Sequence, residues 1–280
     1  MRTIAIFINS SHRADKKIIT TEQMPDRWRK FACIVVPHDQ VQNYRTANTF
    51  PILAIPKDVP QCLPSQRQWV MENAKDDFIF FMDDDLVFHT RTLNGKLKRS
   101  TPSRMESMLR EVTFHLTMQN IPIVGISCRM GNNRVPEDHT DITRVTRCYA
   151  VNKEVFNKVG AVFDPIDTFV MEDFHMNLCF LEKGHKNRVL YKYAQSDSGS
   201  NAEGGCSLYR TQEIQKRSAL FLKQKHPMFV TVKEKKTKGS WIGFKKDKDG
   251  FITRTDVIVH WKKAYRFGIR KPKRGISKFL

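Results

Sequence analysis

Nothing in these 280 residues approaches the uninterrupted apolar length that a membrane span requires. With 28% charged residues and a mean hydropathy of −0.49, the composition is that of a soluble protein. The one apolar stretch near the start, Ile4 to Ile8, is too short for the hydrophobic region of a signal peptide and reads as a first strand. The six cysteines, Cys33, Cys62, Cys128, Cys148, Cys179 and Cys206, form no CxxC pair and show no metal-ligand spacing. They are expected to be reduced, to serve packing, and to mark a cytoplasmic protein. Acidic residues are scarce: 29 Asp and Glu stand against 48 Lys and Arg, for a net charge of +19. From Lys233 to Leu280 the ratio is 16 basic to 4 acidic residues, so most of the excess lies there and that section is expected to face something acidic.

Against this basic background stand three consecutive aspartates, Asp83, Asp84 and Asp85, directly after the apolar run Phe78 to Met82. The run has no polar alternation, which predicts a strand covered on both faces, and ligands in open α/β sheets gather at the carboxyl ends of such strands. Three adjacent carboxylates repel one another, and a hard divalent cation bound through oxygen relieves the repulsion. Mg²⁺ or Mn²⁺ is the expected ion. The alternative is a solvated acidic turn.

Short apolar runs alternate with helical patterns along the chain. Thr3 to Ile8, Ala32 to Val36, Ile52 to Ile55, Phe78 to Met82, Ile121 to Ser127 and Cys148 to Val151 are predicted strands. Ser65 to Lys75 and Ser103 to Met118 are predicted helices, the second opened by a Ser103/Glu106 capping box. Asn152 is expected to cap a helix ending at Gly160, and Glu172-Asp173 to open another, with Asp173 as its N-cap. Arg129 to Arg147 reads as an inserted loop or ribbon. Ser196 to Gly205 is the most flexible composition in the chain and precedes a helix from about Tyr209 to Lys225. Beyond Pro227, Met228 to Val232, Ser240 to Phe244 and Thr253 to Trp261 read as short antiparallel strands before a basic tail. The rhythm predicts an α/β fold, a doubly wound and mostly parallel sheet over residues 1–225, with a basic, β-rich extension over residues 226–280.

A metal at Asp83 and Asp85 would neutralise a diphosphate, and an acceptor would then need a second carboxylate as base. Glu172 and Asp173 are the catalytic candidates, Asp173 because the dipole at a helix start keeps a carboxylate ionised.

Phe80-Phe81-Met82-Asp83-Asp84-Asp85 resembles the DxD element of GT-A glycosyltransferases, and Met171-Glu172-Asp173 resembles their later xED element, at a suitable separation of roughly ninety residues. The resemblance implies that Asp83 contacts the nucleotide or a metal-bound water, that Asp85 binds the metal, and that Asp173 is the base of an inverting reaction. It further implies that Ser11, Arg13, Arg67 and Asp84 belong to the nucleotide-binding set, and that a histidine after xED completes the metal shell. His260 is taken for that role, with His185 and His226 as the other candidates.

Within this fold the chain is most similar to the phage TET/JBP-associated glycosyltransferases, through Ser11-x-Arg13, Val36-Pro37-His38-Asp39, the Asp83 triplet, Glu172-Asp173 and Gly204-Gly205-Cys206-Ser207-x-Tyr209-Arg210. That resemblance implies a UDP-sugar donor and a hydroxymethylated pyrimidine in DNA as acceptor, with Gly204, Gly205 and Arg210 in an acceptor loop. The basic end independently suits a polyanion: Lys262, Lys263, Arg266, Arg270, Lys271, Lys273 and Arg274 are the expected phosphate contacts, with Trp241, Phe244, Trp261, Tyr265 and Phe267 interleaved. Three other readings stay open: a glycan or protein acceptor, a two-metal nuclease, and a non-catalytic DNA-binding protein.

Overall fold

The computed structural model describes residues 3–129, 135–166, 168–197, 208–238 and 244–270. Among them, ten strands form one sheet: β1 (Ile4–Asn9), β2 (Ala32–Pro37), β3 (Ile52–Ile55), β4 (Phe78–Asp83), β5 (Val87–Arg91), β6 (Leu97–Arg99), β7 (Ile123–Cys128), β8 (His139–Asp141), β9 (Cys148–Asn152) and β10 (Asn187–Ser196). The order is β3-β2-β1-β4-β9-β7-β10-β5-β6, with β8 pairing β10. Strands β1 to β4 are mutually parallel and β7 is parallel to β10, whereas β9 runs antiparallel between β4 and β7. The sheet is therefore mixed but mostly parallel, as expected.

The unbroken apolar run of β4 has the predicted cause. Phe78, Phe80 and Met82 enter one core, while Ile79 and Phe81 enter the other, so both faces of the strand are covered. Strand β1 does the same, with Ile6 and Ile8 on one side and Phe7 on the other. Met105, Met108, Leu109 and Val112 of the helix Pro102–Thr117 close the first layer. Val70 and Met71 of the helix Leu63–Asn73, with Met176 and Phe180 of the helix Glu172–Leu181, close the second. Burying each such side chain contributes about 1.5–3 kcal/mol.

Several boundaries differ from expectation. The helix Pro102–Thr117 is capped by Thr101, whose side chain accepts from the Arg104 amide; a proline in the first turn, where its missing donor costs nothing, moves the start ahead of Ser103. The helix Glu172–Leu181 has Met171 at its N-cap position, so Asp173 lies inside the first turn rather than capping it. The Asn152 cap is as expected: its side chain accepts from the Val155 amide, and Gly160 ends that helix at φ 67°. Strands β5, β6, β8 and β10 carry polar side chains into the sheet and were not predicted.

Beyond the helix Gln212–Lys225, β11 (Val230–Lys238) and β12 (Phe251–Val259) form an antiparallel hairpin, followed by the helix Trp261–Arg270. That helix corrects the expected strand-and-tail reading. Trp261, Ala264, Tyr265 and Gly268 recur at helical spacing, and their face packs into a third apolar cluster with Phe169, Met171, Leu178, Leu181, Leu222 and Phe229. Gly268 crosses so close to the end of the helix Glu172–Leu181 that an added Cβ would lie 2.3 Å from the Gly184 nitrogen and 2.4 Å from the Leu181 oxygen. Both contacts are backbone, so only glycine fits there. The predicted strand Ser240 to Phe244 lies almost wholly outside the described residues, as do Trp241, Gly204, Gly205, Lys271, Lys273 and Arg274.

Candidate active site

The sheet reverses its winding between β1 and β4, and a crevice opens at the carboxyl ends of these strands. Asn9 and Asp83 are paired neighbours there. The crevice is a cleft of about 420 Å³ whose lining includes Ser11, Arg13, Arg67, Asp83, Asp84, Asp85, Glu172, Asp173 and Arg210. These predicted site residues, scattered over two hundred positions of sequence, meet in one place.

The three aspartates have different surroundings. Asp84 turns back into the protein, where its carboxylate accepts from Ser10 Oγ at 2.5 Å and from Arg13 Nη1 at 2.5 Å. Asp85 meets the same guanidinium at 3.4 Å. Arg13 is presented by a short loop in which His12 adopts φ 56° and is tied to Gln40 through both its amide and its ring. Asp83 pairs with Arg67 Nη2 at 2.7 Å, and Arg67 Nη1 reaches Glu172 at 3.1 Å. One buried guanidinium, stacked near the rings of Phe81 and Tyr149, therefore joins the strand-end aspartates to the helix carrying the second acidic pair.

Asp173, at the next position, accepts from Arg144 Nε at 2.6 Å. Arg144 lies 4.0 Å over the ring of Phe174, which in turn stacks on Trp261 at 5.9 Å. Arg147, whose φ is 63°, pairs with Asp197 at 3.0 Å on the same wall. Arg210 donates to the Val170 carbonyl at 3.3 Å. Strand β12 contributes Arg254 and Asp256, themselves paired at 2.9 Å, so the basic extension supplies part of the cleft lining. Arg144, Arg147, Arg254, Asp256, Asn9 and Gln66 were not singled out from sequence. The first two lie in a stretch without periodicity, and nothing local marks the others.

Burial pushes the Asp83 carboxyl up to about 6, with Asp85 and Asp84 adding to the rise and Arg67 opposing it. Burial and then the neighbouring Asp173 raise Glu172 as well, against the pull of Arg67. An all-oxygen set of crowded carboxylates under this strain fits a hard divalent cation at Asp83 and Asp85. None of the three histidine candidates lines the cleft. His260 is exposed ahead of the helix Trp261–Arg270, its amide donating to the Phe229 carbonyl. His185 packs near Phe180, and His226 is buried against His175.

The Asp83 shift sets a pH dependence. In the unfolded chain this group ionises near 3.8, whereas the folded protein retains the proton up to about 6. Its stabilising contribution is complete below the lower value and is lost as pH rises through the higher one. Metal-free protein is therefore expected to lose melting temperature across that window relative to Asp83→Asn, and Mn²⁺ at neutral pH to restore it. Scanning fluorimetry with and without Mn²⁺ checks this.

Among the described residues, no helix is long and apolar enough to cross a membrane. The fold resembles that of Staphylococcus aureus TarS residues 1–349 in complex with UDP-GlcNAc, at 13% identity and a TM-score of 0.50, covering 79% of this chain and 66% of that one. It also resembles a mycobacterial protein at 9% identity and a TM-score of 0.51, covering 95% and 89%. At these identities the likeness is one of fold, the mixed α/β architecture of GT-A glycosyltransferases, and the chain spans just under two thirds of the TarS fragment. No curated protein sequence matches it. A family model of the TET-associated glycosyltransferases matches residues 4–205, including Ser11, Arg13, Arg67, the three aspartates, Glu172 and Asp173, and the chain belongs to that family.

Proposed function

We propose that this glycosyltransferase moves a sugar from a UDP-sugar to the hydroxyl of a hydroxymethylated pyrimidine in DNA. The observation that carries the reading is the convergence of Asp83, Asp85, Glu172 and Asp173 on one cleft, with Arg67 bridging the two acidic elements. Asp83 and Asp85 would hold Mn²⁺ or Mg²⁺, which supplies charge neutralisation of the departing diphosphate. Ser11 and Arg13, on the loop after β1, flank the nucleotide. Asp173 takes the proton of the acceptor hydroxyl as it attacks the sugar, and the Arg144 contact orients that carboxylate at the cleft. Glu172 is a positioning residue, fixed by Arg67. A nuclease with two cations is the weaker reading, because the family model that matches residues 4–205 is one of glycosyltransferases.

A DNA acceptor is supported by charge. On the helix Trp261–Arg270, Lys262, Lys263, Arg266 and Arg270 are exposed while the apolar face packs inward, and Trp261 at its start is linked through Phe174 to Arg144 and so to Asp173. A polyanion along this helix would thus lie next to the proposed base. A C5-hydroxymethyl group projects into the major groove and needs no unstacking to be presented. Lys271 and Arg274 are proposed as further phosphate contacts, and Gly204 and Gly205 as acceptor contacts; all four lie outside the described residues. Residues 1–225 would then carry the sugar-transfer chemistry, and residues 226–280 would contact DNA while lending Arg254 and Asp256 to the cleft. Changing Lys262, Lys263 and Arg266 together to glutamate is expected to weaken DNA binding at least tenfold and to lower the slope of log K against log[salt] by about 3. Fluorescence anisotropy over a salt series measures both.

The test of the function is product analysis. Protein, Mn²⁺, a panel of UDP-sugars and DNA with or without 5-hydroxymethylcytosine are incubated, and the digested nucleosides are weighed by mass spectrometry. A sugar mass on the modified base alone, absent with Asp85→Asn, is expected. UDP-sugar turnover on a glycan or protein but not on DNA would transfer the reading to that acceptor, and cut DNA without sugar transfer would overturn it.

A further inference from the structure

His226 is not near the aspartates, and its actual neighbours form a second constellation. His175 and Cys179 occupy successive turns of the helix Glu172–Leu181, and His226 ends the helix Gln212–Lys225. One ligand atom from each lies within 4.8 Å of the other two. His175 Nδ1 is 2.8 Å from His226 Nε2, and Cys179 Sγ is 3.8 Å from His175 Nδ1. Both imidazoles are 3% exposed, and the rings of Phe169 and Phe221 stand edge-on to His175. The second ring nitrogen of His226, Nδ1, is held by the Glu182 carboxylate. None of these four residues lines the cleft.

We propose that His175, Cys179 and His226 bind a zinc ion. Two imidazole nitrogens and a thiolate are a borderline-soft donor set, the kind that selects Zn²⁺, whereas the oxygen-only set at Asp83 and Asp85 selects Mg²⁺ or Mn²⁺. A carboxylate on the far nitrogen of a ligating histidine fixes its tautomer and ring orientation, and Glu182 stands in that relation to His226. Bond lengths of about 2.0–2.1 Å to nitrogen and about 2.3 Å to sulfur imply N···N near ~3.3 Å and N···S near ~3.6 Å in a tetrahedral site. The N···S separation between Cys179 and His175 Nδ1 is already close to that value; the imidazoles have to part by about half an ångström, and Cys179 Sγ, also 3.7 Å from His175 Nε2, has to swing from the ring face toward Nδ1. Cys179 is half-buried, so water can reach a fourth position.

Bound to zinc, both imidazoles offer a neutral nitrogen. His175 carries its proton on Nε2 and His226 carries its proton on Nδ1 toward Glu182, while the Cys179 thiol gives its proton to solvent. Each zinc taken up therefore releases the Cys179 proton. The His226 carbonyl accepts from the amides of Phe229 and Val230, where β11 begins. The ion would thus tie the helix bearing Glu172 and Asp173 to the base of the hairpin. The cysteine spacing concealed such a site, since its ligands are an i,i+4 pair and a histidine 47 positions further on.

The test uses the full chain. After purification and dialysis against metal-free buffer, elemental analysis is expected to find about one zinc per chain, and chelation to lower the melting temperature by several degrees. Replacement with Co²⁺ is expected to produce a thiolate-to-cobalt charge-transfer band that persists in Asp85→Asn and disappears in the isosteric Cys179→Ser. Zinc that remains substoichiometric after incubation with excess Zn²⁺, or a cobalt form of the wild type without the thiolate band, overturns the proposal. The wild-type spectrum decides the matter even if a variant fails to fold.

Discussion

Asp173→Asn is expected to lower the rate of sugar transfer by about 10²–10⁴-fold while leaving UDP affinity within about twofold of the wild type, because removing a general base acts on the chemical step rather than on donor binding. The substitution is nearly isosteric. Asn177 donates to the Asp173 backbone carbonyl, a contact that the change leaves in place. Arg144 loses an ionic partner, but its side chain is 46% exposed and can turn to water, so the stability cost stays below about 1 kcal/mol. Single-turnover transfer to hydroxymethylated DNA, with UDP titration in parallel, separates the two effects. Transfer at the wild-type rate would remove Asp173 from the chemistry. A loss that follows UDP affinity instead would make it a donor-site residue.

The second large effect is structural. Arg67 is 2% exposed and its guanidinium meets Asp83 and Glu172 at 2.7 and 3.1 Å. Arg67→Met fills similar space but leaves two carboxylates crowded in the cleft without their cation. Removing one partner of a buried ion pair costs about 3–5 kcal/mol, and the lower end applies here because both carboxylates keep some solvent contact. For a chain of this size that corresponds to a melting temperature roughly 6–12 °C lower. The deficit should shrink as pH falls, since both carboxyls already titrate above their ordinary values and protonation removes the repulsion. Arg67→Lys is expected to recover less than half of the loss, because one ammonium cannot serve two carboxylates in the geometry of a planar fork. A melting temperature within about 2 °C of wild type at neutral pH would show that the bridge is not what stabilises the cleft.

These two residues illustrate how unevenly the site could be read. Asp83 to Asp85 and Glu172-Asp173 stand out because acid is rare in a basic chain and because each follows an apolar segment that places it at an element boundary. Arg67 is visible as a residue on a helix, but nothing local reveals that its side chain is buried between two acidic elements sixteen and 105 positions away. Arg144 comes from a stretch with no period, and Arg254 and Asp256 from a hairpin read as an appendage. Strand β10, ten residues long, hides behind buried polar side chains such as Arg188 and Gln195, whose partners lie elsewhere in the fold. The helix Trp261–Arg270 was masked by the alternating strand that runs into it.

The layered α/β class, the strand that delivers the aspartates, the acidic helix start and the basic character of the far end are all legible along the linear chain. All of these depend on hydrophobic periodicity and local charge, which a linear reading records. Tertiary packing sets the antiparallel course of β9 beside β4, the pairing of Arg67 with Asp83 and Glu172 and of Arg144 with Asp173, the hairpin's share of the cleft lining, and the meeting of His226 with His175 instead of the aspartates. Those outcomes depend on which distant segments share a layer, and the free energy that selects them comes from contacts between residues far apart in the chain.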